Sequence, residues 1–209
     1  MLQQDLDLNK LKYIMDTIEK VVYINLAHRT DRREQVEKEL SIFPSEKVLR
    51  FDAIKHERGA IGCSLSHIAV LEMAIEKNWK NVLIVEDDMI WNNNQFDTGR
   101  KTLNNLISKP YDVIVLGGTF VKYNPMTNKL IECQTTTAYL IHNHYFQKLL
   151  DCFKQSVADK SYIDKSWKSL QKPDNWFIIY PPLAIQSAGY SDIEKRDTNY
   201  YRFFGLKRI

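Results

Sequence analysis

Three consecutive carboxylates, Glu86, Asp87 and Asp88, directly follow an apolar run near the middle of this chain. The run, Val82–Val85, consists of branched aliphatic residues and is typical of a strand buried on both faces of a sheet. Because strand side chains alternate, Glu86 and Asp88 are expected on one side and Asp87 on the other. Carboxylates at the carboxyl end of such a strand suit a hard divalent cation shared with phosphates. The alternative is a solvated strand end, and the triplet alone does not decide between them.

The rest of the chain alternates between strand and helix patterns. Predicted strands are 21–26, 48–51, 82–85, 111–116 (closed by Gly117 and Gly118), 129–133, 136–141 and 176–180, and predicted helices are 32–40, 64–77, 96–107, 145–153 and 162–170. This alternation predicts an α/β fold in which a mostly parallel sheet lies between helices. No linker or repeat is apparent, so we expect a single domain over residues 1–209, with an N-terminal helix in 1–20 and a basic tail in 194–209.

Composition narrows the classes of function. The 29 basic and 26 acidic residues give a net charge of +3, too small to indicate nucleic acid as the main partner. No stretch resembles a transmembrane helix of ~20 apolar residues or a signal peptide. The widely spaced Cys63, Cys133 and Cys152 indicate reduced thiols in an intracellular, cytoplasmic protein. The basic, aromatic tail is compatible with peripheral contact to an anionic membrane, although packing against its own domain is the favoured interpretation.

Several sequence blocks follow one another in a characteristic order. They are 22–26 with Arg29, Asp31 and Arg32; 51–53; Gly59–His67; Leu83–Asp88; 111–114 with 116–117; 137–141; Asp164; and 181–183. Together they resemble glycosyltransferase family 25, which contains lipooligosaccharide and procollagen galactosyltransferases. The resemblance covers roughly residues 21 to 193. The Gly-Cys-x-Leu-Ser-His and Glu-Asp-Asp blocks are its most specific parts.

The resemblance implies a GT-A fold, in which a Rossmann-like sheet binds a UDP-sugar and a divalent metal lies on the diphosphate. It implies transfer of galactose or glucose with inversion, as in lipopolysaccharide biosynthesis, to a glycan, a lipid-linked saccharide or a hydroxylated polypeptide. Glu86, Asp87 and Asp88 would then hold the metal. The residue chemistry agrees, because a metal neutralises the charge on departing UDP and an all-carboxylate cluster favours Mn²⁺ or Mg²⁺ over zinc.

Candidate substrate contacts follow from the same blocks. Asn25 and Leu26 end the first predicted strand, where backbone and amide groups can meet a uracil or ribose. Arg29 and Arg32 can pair with phosphate, or they can lie over surface carboxylates at an exposed helix start. The further candidates are Ala53, Gly62, Ser66, His67, Gly117, Gly118 and Thr137.

The second block offers an anion site and a histidine. Gly59 and Gly62 bracket a predicted loop before a helix capped by Ser64, which can cradle anionic oxygens or form a plain turn. His67 either contacts the donor or is a hydrogen-bonded structural histidine. The later pair in His142-Asn143-His144 lacks partner ligands, and we reject it as a metal site.

An inverting transfer needs a general base on the acceptor side, and a carboxylate is the usual choice. Asp164 matches an acidic position of the family and is our first candidate. Asp192 is the second, and it could instead complete the metal or sugar site. The competing functions are a metal-dependent nucleotidyltransferase or phosphohydrolase, and a nucleotide-sugar-binding protein without catalysis.

Overall fold

The computed structural model describes residues 17–204. Its strands are β1 Lys20–Asn25, β2 Val48–Asp52, β3 Asn81–Glu86, β4 Met89–Trp91, β5 Val113–Tyr123, β6 Leu130–His142, β7 Trp176–Ile178, β8 Ala184–Gln186, β9 Gly189–Ser191 and β10 Arg196–Thr198. Six of them form a central sheet in the order β2-β1-β3-β6-β5-β7, while β4–β8 and β9–β10 are separate pairs. In the central sheet only β6 runs antiparallel to its neighbours.

Helices cover both faces of the central sheet. They are α1 Thr30–Leu40, α2 Gly59–Glu76, α3 Phe96–Ile107, α4 Phe146–Ala158, α5 Ile163–Ser166 and α6 Lys168–Gln171. Along β3, Val82 and Ile84 join the core that contains residues of α2 and α4, whereas Leu83 and Val85 join the core that contains residues of α1 and α3. This alternation explains the continuous apolar run. The predicted α/β fold with a mostly parallel sheet between helices is confirmed.

The β5–β6 hairpin differs from the sequence prediction. The sequence placed Gly117 and Gly118 at the end of a strand, but β5 continues through them to Tyr123. A Cβ on Gly117 would lie 2.0 Å from the carbonyl oxygen of Ala184, so the glycine allows a close backbone approach within the strand. The two predicted strands in 129–141 are one strand, β6, whose pairing with β5 shifts register several times.

Helix α2 begins five residues earlier than predicted. Gly59 and Gly62 therefore lie inside the helix and not in a preceding loop, and a Cβ on Gly62 would lie 2.4 Å from the Ile54 carbonyl oxygen. Ser64 does not cap the helix; its hydroxyl donates to the Ala60 carbonyl at 2.8 Å. The predicted helix over 162–170 is divided into α5 and α6, and most of the predicted N-terminal helix lies outside the described residues.

No stretch that resembles a transmembrane helix is expected from the sequence. By length and composition alone, however, the 18-residue helix α2 is apolar enough to cross a membrane. Ile68, Val70, Leu71 and Ala74 of this helix are buried in the core shared with the sheet and α4. The apolar character of α2 is thus accounted for by packing on both of these elements.

Candidate active site

A cleft of about 1140 Å³ opens beyond the carboxyl ends of β1, β2 and β3 and extends along the β5–β6 hairpin. Ligands of open α/β sheets bind at this edge. Predicted site residues on its walls are Leu26, Arg32, Ala53, Gly62, Ser66, His67, Glu86, Asp87, Asp88, Asp164 and Asp192. Asn25, Arg29, Gly117, Gly118 and Thr137 are not among the residues that line the cleft.

Asp87 is held by two groups from the region of β1 and α1. Its Oδ2 accepts a hydrogen bond from Asn25 Nδ2 at 2.8 Å, and its Oδ1 accepts one from Arg32 Nη1 at 2.9 Å. Asn25 is only 1% exposed and also donates to the Arg29 carbonyl. The structure therefore places Asn25 behind Asp87, as a residue that positions the carboxylate.

Asp88 is the least satisfied carboxylate of the triplet. Its Oδ2 lies 3.3 Å from Arg32 Nη1, whereas its buried Oδ1 has no hydrogen-bond partner among the described residues. Burial and the neighbouring charge of Glu86 raise the pKa of Asp88 to about 7. A buried carboxylate oxygen without a partner, beside two more carboxylates and one arginine, is a donor set that fits a hard divalent cation.

Glu86 lies at the end of β3 and contacts three side chains. Oε1 accepts from Thr136 Oγ1 at 2.5 Å and Oε2 from Gln186 Nε2 at 3.3 Å, while His67 Nε2 lies 3.4 Å from Oε1. Burial alone would raise the pKa of Glu86, but His67 and Thr136 lower it overall. Neither Thr136 nor Gln186 was a sequence candidate.

His67 is fully buried in the floor of the cleft. Its Nδ1 shares a hydrogen bond with the Tyr139 hydroxyl at 2.9 Å, and its Nε2 points towards Glu86. The adjacent Ser66 hydroxyl accepts from the Ile54 amide at 2.8 Å and donates to the Gly62 carbonyl at 2.7 Å. Ser66 thus ties the chain after β2 to the first turns of α2.

The two predicted phosphate-binding arginines hold the C-terminal segment. Arg29 Nη1 donates to Asp192 Oδ2 at 2.5 Å and the same guanidinium pairs with Asp31, while Arg32 Nη2 donates to the Tyr190 carbonyl at 2.8 Å. Asp192 is therefore ion-paired with Arg29, and both arginines hold the segment that contains Tyr190 and Asp192.

Asp164, on α5, lines the cleft beside β6. Its Oδ2 accepts a hydrogen bond from the Thr135 amide at 3.3 Å, and burial raises the pKa of its carboxyl group. A carboxylate with a raised pKa is a better proton acceptor at neutral pH. The predicted base is therefore in the cleft, in surroundings that suit the role.

Aromatic side chains form part of the wall near Asp164. Phe120, Tyr162 and Phe203 all line the cleft and remain between 44% and 54% exposed, and the rings of Phe120 and Phe203 lie 5.1 Å apart. Phe120 also has a φ of +52°, which is unusual for a bulky residue and typical of functional sites. Phe203 belongs to the basic tail, whose described part packs against its own domain.

Thr136 and Thr137 show how one residue of offset changes a prediction. Because side chains alternate along β6, Thr136 reaches Glu86, whereas Thr137 is fully buried and does not line the cleft.

Several cationic side chains that line the cleft were also not predicted from the sequence. They are Lys55, Lys165, Lys195 and Arg196.

Comparison with known proteins adds three findings. The family model described as glycosyltransferase family 25 (LPS biosynthesis protein) matches residues 56–167, more than half of the chain. A protein of Acanthamoeba polyphaga mimivirus named "putative glycosyltransferase" is 26% identical over 148 residues, which cover 59% of this chain. The chain spans 44% of the length of that protein.

A solved structure shares the fold. It is a glycosyltransferase involved in the glycosylation of the major capsid of PBCV-1, with a TM-score of 0.53 and 14% sequence identity. The match covers 84% of this chain and 95% of the other. The family match contains the acidic triplet, His67 and Asp164, whereas Arg32 and Asp192 lie outside it.

Proposed function

Because the chain belongs to glycosyltransferase family 25, we propose that it transfers a hexose from a UDP-sugar to a hydroxyl group of a saccharide, with inversion and with bound Mn²⁺ or Mg²⁺. The observation that carries the proposal is the buried Oδ1 of Asp88, which has no hydrogen-bond partner within residues 17–204 and lies in an acidic cluster at the ligand-binding edge of the sheet. A sugar nucleotide brings a diphosphate whose charge needs a cation at such a place.

On the donor side, Glu86 and Asp88 would hold the cation. Asp87, whose two oxygens accept hydrogen bonds from Asn25 and from the cationic Arg32, contributes charge beside them. When bound, the metal acts as a Lewis acid that stabilises the negative charge of departing UDP. Arg32, which lies beside both aspartates and lines the cleft, supplies a fixed positive charge for the same diphosphate.

On the acceptor side, Asp164 would act as the general base. The acceptor oxygen attacks the anomeric carbon and forms the new glycosidic bond, while the bond from that carbon to the UDP oxygen breaks. The proton of the acceptor hydroxyl passes to the Asp164 carboxylate, and UDP leaves with the bonding electrons. The raised pKa of Asp164 favours this proton transfer.

The donor half of this proposal is tested by calorimetry of UDP binding. We expect strong binding with Mn²⁺ and weak binding in chelator, because the carboxylates repel a bare diphosphate. Equal affinities under the two conditions would contradict the metal role.

A panel of sugar nucleotides, scored by slow hydrolysis, should show a preference for UDP-galactose over UDP-glucose. Release of UDP, and not of phosphate or pyrophosphate, separates sugar transfer from the competing enzyme classes.

The acceptor half is tested at the aromatic wall. Exposed aromatic faces pack against the C–H groups of sugar rings, so Phe120→Ala and Tyr162→Ala should each raise the KM for a saccharide acceptor by ~10-fold, the loss expected for ~1.4 kcal/mol of contact. The donor KM and kcat should change little. Tyr190→Ala is the matched control, because it removes an exposed ring that does not line the cleft. An unchanged acceptor KM in both cleft variants would remove the aromatic wall from the acceptor site.

A further inference from the structure

We propose that Cys63, His67 and Glu86 form a second cation site in the cleft, which selects a thiophilic divalent ion such as Zn²⁺. Each residue offers one ligand atom, and the three atoms lie within 4.8 Å of one another. Cys63 and His67 are four residues apart on α2 and so share one helix face, while Glu86 approaches from the end of β3. This thiolate, imidazole and carboxylate set differs in kind from the all-oxygen donor site of Glu86 and Asp88.

The imidazole of His67 is the observation that points to a ligand. The side chain is fully buried, and its Nε2 has no hydrogen-bond partner among the described residues although Glu86 Oε1 is 3.4 Å away. If Tyr139 accepts a hydrogen bond from Nδ1–H, Nε2 carries a lone pair that faces the Glu86 carboxylate. The lone pair and the carboxylate repel each other, and a cation bound between them removes this repulsion. In the other tautomer the Tyr139 hydroxyl donates and Nε2–H faces Glu86.

Tyr139 contacts the other ring nitrogen of His67, Nδ1. A histidine that ligates a metal usually donates its other ring N–H to a fixed oxygen, which sets the tautomer and the ring orientation. The Tyr139 hydroxyl, 2.9 Å from Nδ1 and itself fully buried, is in position to accept that hydrogen bond. In the tautomer that binds a metal, Nδ1–H therefore donates to Tyr139 and the lone pair of Nε2 faces Glu86.

Cys63 supplies the preference for a soft ion. The residue lines the cleft, and burial together with the charge of Glu86 holds the pKa of its thiol well above the usual range. Without a metal the thiol is neutral and does not repel the carboxylates; with Zn²⁺ it binds as a thiolate and releases a proton. Three protein ligands leave the fourth tetrahedral position open to the cleft.

The site shares Glu86 with the donor cation site. If the proposed function holds, Zn²⁺ on this cluster would withdraw Glu86 from the diphosphate cation, so that micromolar zinc would weaken UDP binding. The consequence rests on the proposed function, whereas the binding site itself does not.

Cobalt titration of the full chain provides the test, because Co²⁺ substitutes for Zn²⁺ and a cobalt–thiolate bond gives a charge-transfer band in the near ultraviolet. We expect one such band per chain, removed by added Zn²⁺ and absent from Cys63→Ser. Tyr139→Phe, which loses the oxygen behind His67, should bind ~10- to 100-fold more weakly. Cys152→Ser is the matched control, because it replaces another partly buried cysteine outside the cleft and should keep the band.

Absence of a thiolate band in the folded wild-type chain would overturn the inference, as would a band that survives in Cys63→Ser and disappears in Cys152→Ser. Thermal melts of each variant confirm that it is folded. Asp88→Asn separates the two proposals, since it should keep the cobalt–thiolate band while losing Mn²⁺-dependent binding of UDP. A band without any metal-dependent UDP binding in the wild type would refute the proposed function and leave this site standing.

Discussion

Asp88→Asn should abolish Mn²⁺-dependent binding of UDP and at the same time stabilise the metal-free protein. The substitution keeps the size of the side chain but removes a buried charge whose Oδ1 has no partner in the described part of the chain. A buried carboxylate of this kind, with an oxygen left for a ligand, is what a metal site needs and what the metal-free fold tolerates poorly. The substitution is thus expected to lower metal-dependent UDP binding and to raise the stability of the metal-free protein.

The pH dependence of this effect follows from the shifted pKa. The pKa of Asp88 is about 7 in the folded chain, against 3.8 for an ordinary aspartate. Between these values the folded state holds a proton that the unfolded state has lost, so the contribution of Asp88 to stability falls as pH rises and levels off above about 7. The cost above that pH is on the order of a few kcal/mol. The neutral amide introduced by Asp88→Asn carries no such cost.

Urea unfolding in chelator, at pH 5 and at pH 8, measures this directly. We expect the variant to exceed the wild type in free energy of unfolding, with a gap that widens at the higher pH. Asp151→Asn is the control, because Asp151 is exposed on α4 and its replacement should leave both UDP binding and the pH profile unchanged. An Asp88→Asn variant that binds UDP and Mn²⁺ normally would remove Asp88 from the metal site.

The fold was largely predictable because its central strands, such as β1 and β3, are buried on both faces. Val82–Val85 is apolar at every position, and such a run between amphipathic helices leaves few alternatives to a covered, mostly parallel sheet. The hairpin was less predictable, since Gly117 looks like a strand end. Its actual role, admitting the Ala184 carbonyl, depends on a contact between segments far apart in sequence.

The site was predictable where the chemistry is local. The acidic triplet was identified from residue type and order, and Asp164 from its match to an acidic position of the family; all four line the cleft. Contacts between segments far apart in the chain could not be predicted from the sequence. Examples are the contact of Gln186 with Glu86 and that of Asp192 with Arg29. Sequence reasoning also gave Asn25 a direct nucleotide contact, whereas the structure places it behind Asp87. Polar residues at strand ends therefore show where a site lies. They do not show which side chains line the cleft and which lie behind those that do.

Asp164→Asn should reduce sugar transfer by ~10²–10⁴-fold if Asp164 is the general base. Asparagine keeps the size of the side chain and can still accept the hydrogen bond from the Thr135 amide, so the fold should be unchanged. Binding of UDP and Mn²⁺ should survive, because the base acts on the acceptor hydroxyl. A donor-side role would instead lower UDP affinity in the same variant.

Two further aspartates sharpen this experiment. Asp159→Asn is the matched control, since Asp159 is exposed at the end of α4 and should not affect transfer. Asp192→Asn tests the competing base. The carboxylate of Asp192 is already paired with Arg29, so its loss should loosen the segment at Tyr190 and weaken donor binding more than it slows the chemical step.

The pH profile of kcat/KM distinguishes a base from a structural carboxylate. Because burial raises the pKa of Asp164, the rate should fall on the acid side at a pH above that of an ordinary aspartate, and this limb should disappear in the residual activity of Asp164→Asn. A carboxylate that only orders α5 would lower the rate equally at every pH. If Asp164→Asn transfers sugar at the wild-type rate while Asp192→Asn loses kcat and keeps its donor affinity, the proton goes to Asp192, and Arg29 must release that carboxylate when the acceptor binds.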